Sequence, residues 1–192
     1  VKTNFQPLDI VLPVGISFYT FQSISYIVDV YKGRVTPTKT WIEYFFFLSF
    51  FPALVAGPIV RADYFIPQIR QNRRATREET YTGLWLIIIG IIKKAIIADY
   101  IAQYNDLIFQ TPTGYSGFES LMGVVGYVMQ IYCDFSGYSD MAIGIGRCLG
   151  FHFNENFDHP YCSRSITEFW RRWHMSVSYT HLRAHETVLD LV

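Results

Sequence analysis

The chain has 192 residues, of which 51% are hydrophobic and 18% aromatic, and its formal net charge at pH 7 is zero. A chain without net charge creates no global field for polyanions, so we expect no nucleic-acid partner. The apolar residues form four long segments separated by short polar stretches, which is typical of a multi-pass membrane protein. These segments cover residues 10–30, 41–60, 83–109 and 121–151. The mean hydropathy of only +0.17 favours helices around a polar interior over a purely lipid-facing bundle.

The second apolar segment contains residues that interrupt helices. Thr40 and Glu43 have the spacing of a capping box, which predicts that a helix begins there. Pro52, Gly57 and Pro58 follow within the same segment, and proline in a helix interior removes a backbone hydrogen bond. Irregular backbone is tolerated at membrane depth only where it is buried in protein or lines a cavity. We therefore predict a re-entrant segment around residues 52–58.

The third apolar segment has two lysines near its middle. Thr76 and Glu79 form a second capping box, which predicts the start of this helix. Lys93 and Lys94 follow in apolar surroundings, where an ammonium group is costly. They either extend to a membrane interface or face a wet cavity, and the sequence leaves both open.

The fourth apolar segment contains acids within a predicted helix. Polar residues would lie on two of its faces, with Gln130, Asp134 and Tyr138 on one and Ser136, Asp140 and Arg147 near another. An unpaired charge inside a membrane costs several kcal/mol, so such residues indicate a functional site. A structural alternative stays open, in which Asp140 pairs with Arg147 and Asp134 caps or bridges helices. Otherwise these side chains line a substrate tunnel.

The last predicted helix starts at the capping residue Ser165 and carries the run from Phe169 to His174. His174 would lie one turn after Trp170, whose ring would partly desolvate it and favour the neutral imidazole that a general base needs. Arg171 and Arg172 also disfavour the charged imidazole and could hold an anionic group such as a phosphate. An interfacial belt, with tryptophans at headgroup level and arginines toward lipid phosphates, is the open alternative.

The chain has metal-ligating residues but no metal-binding pattern. Cys133, Cys148 and Cys162 form no CxxC pair, so we interpret them as small thiols without a disulfide or metal. His181 and His185 are four residues apart, but the residues between them supply neither a base nor a third ligand. We expect no metal site.

Four motifs, in order, resemble signatures of the membrane-bound O-acyltransferase (MBOAT) family. They are LPVGISFYTFQ at 12–22, Phe51-Pro52 with AGPI at 56–59, DFSGYSD at 134–140 and FWRRWH at 169–174. Together they span residues from about 8 to 178, and their order is far more specific than any one of them. The resemblance is strongest to the branch that O-acetylates exported polysaccharides such as alginate, and weaker to the teichoic-acid D-alanyl transfer branch.

The resemblance implies an all-α fold, a polytopic membrane bundle with broken or re-entrant helices around a tunnel. It places the protein in the bacterial inner (plasma) membrane as a multi-pass protein. Residues 1–178 would be part of the MBOAT membrane domain. Residues 179–192 depart from the family pattern and are expected to be an unrelated, artefactual or disordered tail.

The resemblance also implies a site and a reaction. His174 matches the first of two active-site histidines, and the second is expected outside this chain, so the 192 residues alone should be inactive. Residues expected to line the substrate tunnel are Asp134, Ser136, Tyr138, Asp140, Arg147, Arg171 and Arg172. No bound cofactor is expected, because acetyl-CoA or another acyl donor would be a substrate that enters from the cytoplasmic side.

The expected partners are membrane lipid and periplasmic or extracellular proteins of acetyl transfer and polysaccharide synthesis. The expected product is an exported polysaccharide acetylated on its hydroxyls. Two alternatives remain: a component of teichoic-acid D-alanyl transfer, and a polytopic transporter without enzymatic activity. Broken helices and intramembrane acids are also typical of transporters.

Overall fold

The computed structural model describes residues 15–54, 57–71 and 73–177, which form helices and loops without a β-strand. The all-α prediction is therefore confirmed. The α-helices are α1 (Ile16–Tyr31), α2 (Trp41–Ser49), α3 (Phe51–Leu54), α4 (Ala62–Arg70), α5 (Arg77–Ile91), α6 (Asp99–Gln110), α7 (Gly117–Cys148) and α8 (Ile166–Arg172). A π-helical segment, Ile92–Ala98, joins α5 to α6, and 3₁₀ turns occupy Pro112–Gly114 and Pro160–Cys162.

The predicted apolar segments correspond to helices with shifted ends. Helix α1 covers most of the first segment, α5, the π segment and α6 cover the third, and α7 covers the fourth. Within the described ranges, no single helix combines the length and the apolar character needed to cross a bilayer. Some predicted features lie outside the described residues. These are residues 10–14, which include the start of the motif at 12–22, residues 55–56, and the predicted tail at 179–192.

The interruption of the second apolar segment is confirmed. Thr40 caps α2 by accepting the backbone N–H of Glu43, and α2 ends at Ser49. Phe50 has an extended backbone, and the short α3 follows with Pro52 in its first turn. The orientation of this broken segment relative to a membrane stays a prediction.

A helix also forms between the second and third apolar segments, where the sequence analysis predicted none. Helix α4 buries Ala62, Phe65 and Ile66 almost completely, while Asp63 and Arg70 are exposed. The burial of this apolar face explains why the segment is helical despite Pro67, which lies inside it.

An aromatic core holds the segment after α7 in place. Gly150, with a φ of 85° in the left-handed region, ends α7 and turns the chain back toward α2 and α4. The ring of Phe151 then packs 5.0 Å from Phe50 and 5.1 Å from Phe65. Phe153 also packs on both rings. The loop that starts at residue 151 is thereby anchored before it reaches the candidate site.

Helices α5 and α7 approach each other through glycines. A Cβ atom on Gly144 would lie 2.5 Å from the carbonyl oxygen of Gly83, and one on Gly90 would lie 2.6 Å from that of Gly137. Because neither contact leaves room for a side chain, the two backbones pack directly on each other. This packing sets the π segment and its lysines against the acids of α7.

We predict that Gly144→Ala destabilises the protein by about 1–3 kcal/mol, because the added methyl group forces two backbones apart. The measurement is thermal unfolding of the detergent-solubilised, full-length protein that contains this sequence. Gly117→Ala is the matched control, since a Cβ at Gly117 meets nothing within 4 Å and the residue begins the same helix. Equal melting temperatures for both variants would contradict direct backbone packing.

Candidate active site

His174 does not belong to α8. The helix begins as predicted, with the Ser165 hydroxyl accepting the N–H of Glu168, but it ends at Arg172. Trp173 is extended and His174 has a φ of 47°, in the left-handed region. The prediction that one helix carries the run through His174, beside Trp170, was therefore wrong.

Backbone hydrogen bonds to an upstream loop explain this ending. The N–H of Asp158 donates to the carbonyl of Arg172 at 3.0 Å, and the N–H of Met175 donates to the carbonyl of Asn156 at 2.9 Å. The segment around His174 thus pairs with residues 156–158 instead of continuing the helix. This pairing carries the imidazole away from α8 and toward α7.

A buried amide lies at the centre of the site. Asn156 is 1% exposed, and its Oδ1 lies 2.9 Å from both His174 Nδ1 and Ser176 Oγ. The same oxygen accepts the backbone N–H of Ser176 at 3.3 Å. On the other side, Asn156 Nδ2 donates to Ser139 Oγ on α7 at 3.0 Å. The network joins α7, the loop and the His174 segment.

The network determines which imidazole nitrogen holds the proton. A backbone N–H can only donate, so the Ser176 N–H identifies the Asn156 atom beside it as the amide oxygen. An amide oxygen can only accept, so Nδ1 of neutral His174 must carry the hydrogen. Nε2 then holds the lone pair, and no hydrogen bond from the described residues reaches it. This is the arrangement that a general base requires.

Aromatic rings surround the imidazole on the side of α7. Phe135 packs edge-on at 4.7 Å between centroids, and Phe157 stacks at 6.4 Å. Burial among these groups lowers the pKa of His174 below the ordinary value, so the neutral form predominates at pH 7. Trp173 packs 5.1 Å from Phe157, whereas Trp170 is 59% exposed. The desolvating groups are therefore not those that the sequence suggested.

The acids of α7 pair with the two lysines. Lys93 Nζ lies 2.6 Å from Asp140 Oδ2, and Lys94 Nζ lies 2.5 Å from Asp134 Oδ1. Lys94 also contacts Asp99 at 2.6 Å. The proposed pairing of Asp140 with Arg147 was wrong, because the π segment presents Lys93 instead. The bridging role suggested for Asp134 is confirmed.

The other predicted tunnel residues are dispersed. The ring of Tyr138 lies 5.5 Å from Lys94 Nζ, and so belongs to the charged cluster. Ser136 is buried, and its hydroxyl has no partner among the residues described. Arg147 lies in the last turn of α7, Arg171 is exposed, and Arg172 pairs with Glu168 at 2.7 Å. Their predicted role as tunnel-lining residues remains a prediction.

Sequence reasoning missed the residues that orient His174. Asn156 comes 18 residues before the histidine, in a loop that has no helical or strand periodicity. Ser139 lies within the 134–140 motif, but the predicted site residues of that motif were Asp134, Ser136, Tyr138 and Asp140. Among the described residues, no three His, Cys, Asp or Glu side chains are placed to hold a metal ion, and His181 and His185 lie outside them.

Comparison with known proteins agrees with this site. The model of the membrane-bound O-acyltransferase family matches residues 37–179, which include His174 and its whole hydrogen-bond network. The chain therefore belongs to the membrane-bound O-acyltransferase family. It is an acyltransferase-family chain, and its relatives include proteins named as an alginate O-acetylase, a peptidoglycan O-acetyltransferase and a teichoic acid D-alanyltransferase.

The names of the similar proteins differ in the acyl group and in the polymer that they mention. A probable alginate O-acetylase of Pseudomonas putida is 47% identical over 88% of this chain and 34% of its own length. A peptidoglycan O-acetyltransferase of Helicobacter pylori is 37% identical over 92% of this chain and 38% of its own length. A teichoic acid D-alanyltransferase of Bacillus subtilis is 32% identical over 93% of this chain and 46% of its own length. The chain thus spans about a third of the alginate O-acetylase that it matches.

We predict that Lys93→Met destabilises the full-length protein by about 1–3 kcal/mol, because Asp140 then keeps a charge without its partner. The double variant Lys93→Met/Asp140→Leu should recover part of this loss, since it removes both charges. Thermal unfolding measures both, with Asp106→Asn as the control at an exposed acid of the neighbouring helix α6. A double variant less stable than the single one would contradict the pairing.

The lowered pKa of His174 also predicts a pH dependence of stability. Because the folded protein binds this proton less tightly than the unfolded chain, acid favours unfolding, and the effect grows as the pH falls below 6.5. The melting temperature of the wild-type protein should fall more than that of His174→Gln when the pH is lowered from 7 to 5. A difference between the two that stays constant with pH would show that His174 is not desolvated.

Proposed function

We propose that the full-length protein containing this sequence is an O-acetyltransferase of the inner membrane that acetylates hydroxyl groups of an exported polysaccharide. The observation that carries the proposal is a neutral His174 inside the segment that matches the family, with Nδ1–H on Asn156 and an Nε2 that no hydrogen bond from the described residues reaches. The identity of 47% with an alginate O-acetylase supports acetyl as the acyl group and an alginate-like polymer as the acceptor.

The proposed chemistry uses the free imidazole nitrogen. His174 Nε2 takes the proton of an acceptor hydroxyl as its oxygen attacks the carbonyl carbon of the acyl donor. When the donor is a thioester such as acetyl-CoA, the C–O bond forms and the C–S bond breaks. The imidazolium then returns the proton to the leaving thiolate. The donor is a substrate here, and no bound cofactor takes part.

The surrounding residues would guide the donor. Asp134, Tyr138 and Asp140 lie with the lysines on one side of α7, where a polar path between helices is compatible with a tunnel from the cytoplasmic side. Ser136, Arg147, Arg171 and Arg172 would line other parts of that path. The family's second histidine would come from a region that the longer relatives have in addition.

Membrane lipid would surround the multi-pass fold, and periplasmic or extracellular acetyl-transfer and polysaccharide-synthesis proteins would receive or place the acetyl group. The name of the Bacillus subtilis relative makes D-alanyl transfer the competing reaction. A transporter without enzymatic activity would instead move a solute and leave the donor intact. These hypotheses predict different products, so measurements of acetyl transfer, D-alanine incorporation and solute flux separate them.

We predict that His174→Ala lowers acetyl transfer at least about 100-fold, the lower end of what a general base contributes. Membranes containing the full-length protein and its partner proteins would receive radiolabelled acetyl donor, and labelled polysaccharide would be counted. His159→Ala is the matched control, because His159 also has a positive φ but its side chain is 82% exposed.

Three results would contradict the proposal. Wild-type transfer by His174→Ala would remove His174 from the reaction. Incorporation of D-alanine in place of acetyl would establish the competing reaction. Solute flux in proteoliposomes without any acyl turnover would establish a transporter.

A further inference from the structure

Asn156, the hydrogen-bond partner of His174, lies outside the four family motifs of the sequence. We propose that Asn156 is a positioning residue which fixes the orientation and the tautomer of His174. The inference rests on the proposed function for its kinetic readout. Its structural basis, however, is the hydrogen-bond network alone.

The Asn156 amide is held so that it cannot turn over. Its oxygen accepts from the Ser176 backbone and its nitrogen donates to Ser139. Rotation by 180° would place the NH₂ group against the Ser176 N–H, with two donors facing each other in a buried site. The oxygen therefore always faces His174, and the proton stays on Nδ1.

Asn156 also supports the backbone on which His174 lies. Its own carbonyl accepts the N–H of Met175, the residue directly after the histidine. The left-handed φ of 47° at His174 is costly for a side chain of this size and persists only where the surroundings impose it. One residue thus fixes both the ring and the backbone of the candidate base.

An amide suits this role better than a carboxylate. A carboxylate beside Nδ1 would stabilise the imidazolium and raise the pKa of His174, whereas a neutral oxygen orients the ring without that effect. Two acids of the adjoining loop and α8 are already engaged, since Asp158 contacts His159 and Glu168 pairs with Arg172. The elements packed around His174 carry other titratable or charged groups. They are Glu119, Tyr127, Tyr132, Cys133, Asp134, Tyr138, Asp140, Arg147 and Cys148 of α7, His152, Glu155, Asp158, His159, Tyr161, Cys162 and Arg164 of the loop, and Glu168, Arg171 and Arg172 of α8.

The hydrogen bond from Asn156 to Ser139 connects the His174 network to α7. Ser139 is 1% exposed and lies between Tyr138 and Asp140, which contact the two lysines. The Asn156–Ser139 bond therefore fixes the distance between the base and the charged cluster. A substitution of Ser139 by an uncharged residue should weaken the positioning of the His174 imidazole without adding or removing a charge.

The test uses two substitutions at Asn156 in the full-length protein. Asn156→Asp should move the acidic limb of the kcat/KM profile to higher pH by about one unit or more, as expected for a carboxylate beside an imidazole. Asn156→Ala should lower kcat about 10- to 100-fold, as loss of the outer partner of a functional histidine does, and leave KM for the acyl donor within about twofold. Asn154→Asp and Asn154→Ala are matched controls, since Asn154 is exposed in the same loop.

Different failures have different meanings. If His174→Ala is inactive but Asn156→Asp keeps the wild-type pH profile, this inference is overturned and the proposed function stands. If His174→Ala is active, the proposed function itself fails. Should neither Asn156 variant fold, Ser139→Ala must lower kcat about tenfold with KM unchanged, and a wild-type kcat in that variant would overturn the inference.

Discussion

The geometry of the site depends on one buried amide. Asn156 joins α7, the loop that follows it and the segment of His174, through hydrogen bonds from both its side chain and its backbone. An amide enclosed in this way must satisfy all its polar atoms or lose stability, so its partners are strongly specified. The neutral state, the tautomer and the position of the imidazole all follow from that constraint.

The amide can act only because two kinds of packing position the elements around it. Phe50, directly after α2, and Phe65 of α4 pack with the phenylalanines at 151 and 153 and so anchor the start of the loop. Glycines bring α5 and the π segment directly onto α7, which places the lysines opposite its acids. A π segment often occurs at functional sites, and here it gives both consecutive lysines an acidic partner on α7.

Local patterns predicted the helices well, and non-local contacts explain what they missed. Capping residues at Thr76 and Ser165 marked helix starts that the structure confirms, because a cap is set within four residues. The end of α8 could not be predicted, since it follows from bonds to a loop 14 residues or more upstream. For the same reason Asp140 pairs with Lys93, 47 residues away, and not with Arg147 on its own helix. His174 was found from its motif, but its orienting residue was visible only in the fold.

His174 is neutral, with its proton on Nδ1 and a lone pair on Nε2 that no hydrogen bond from the described residues reaches. Nitrogen-15 NMR of the histidine-labelled, full-length protein in membranes, assigned by the signals lost in His174→Gln, tests this most directly. We expect one protonated nitrogen at Nδ1 and one unprotonated nitrogen at Nε2 at pH 7. A proton on Nε2, or protons on both nitrogens at that pH, would contradict it.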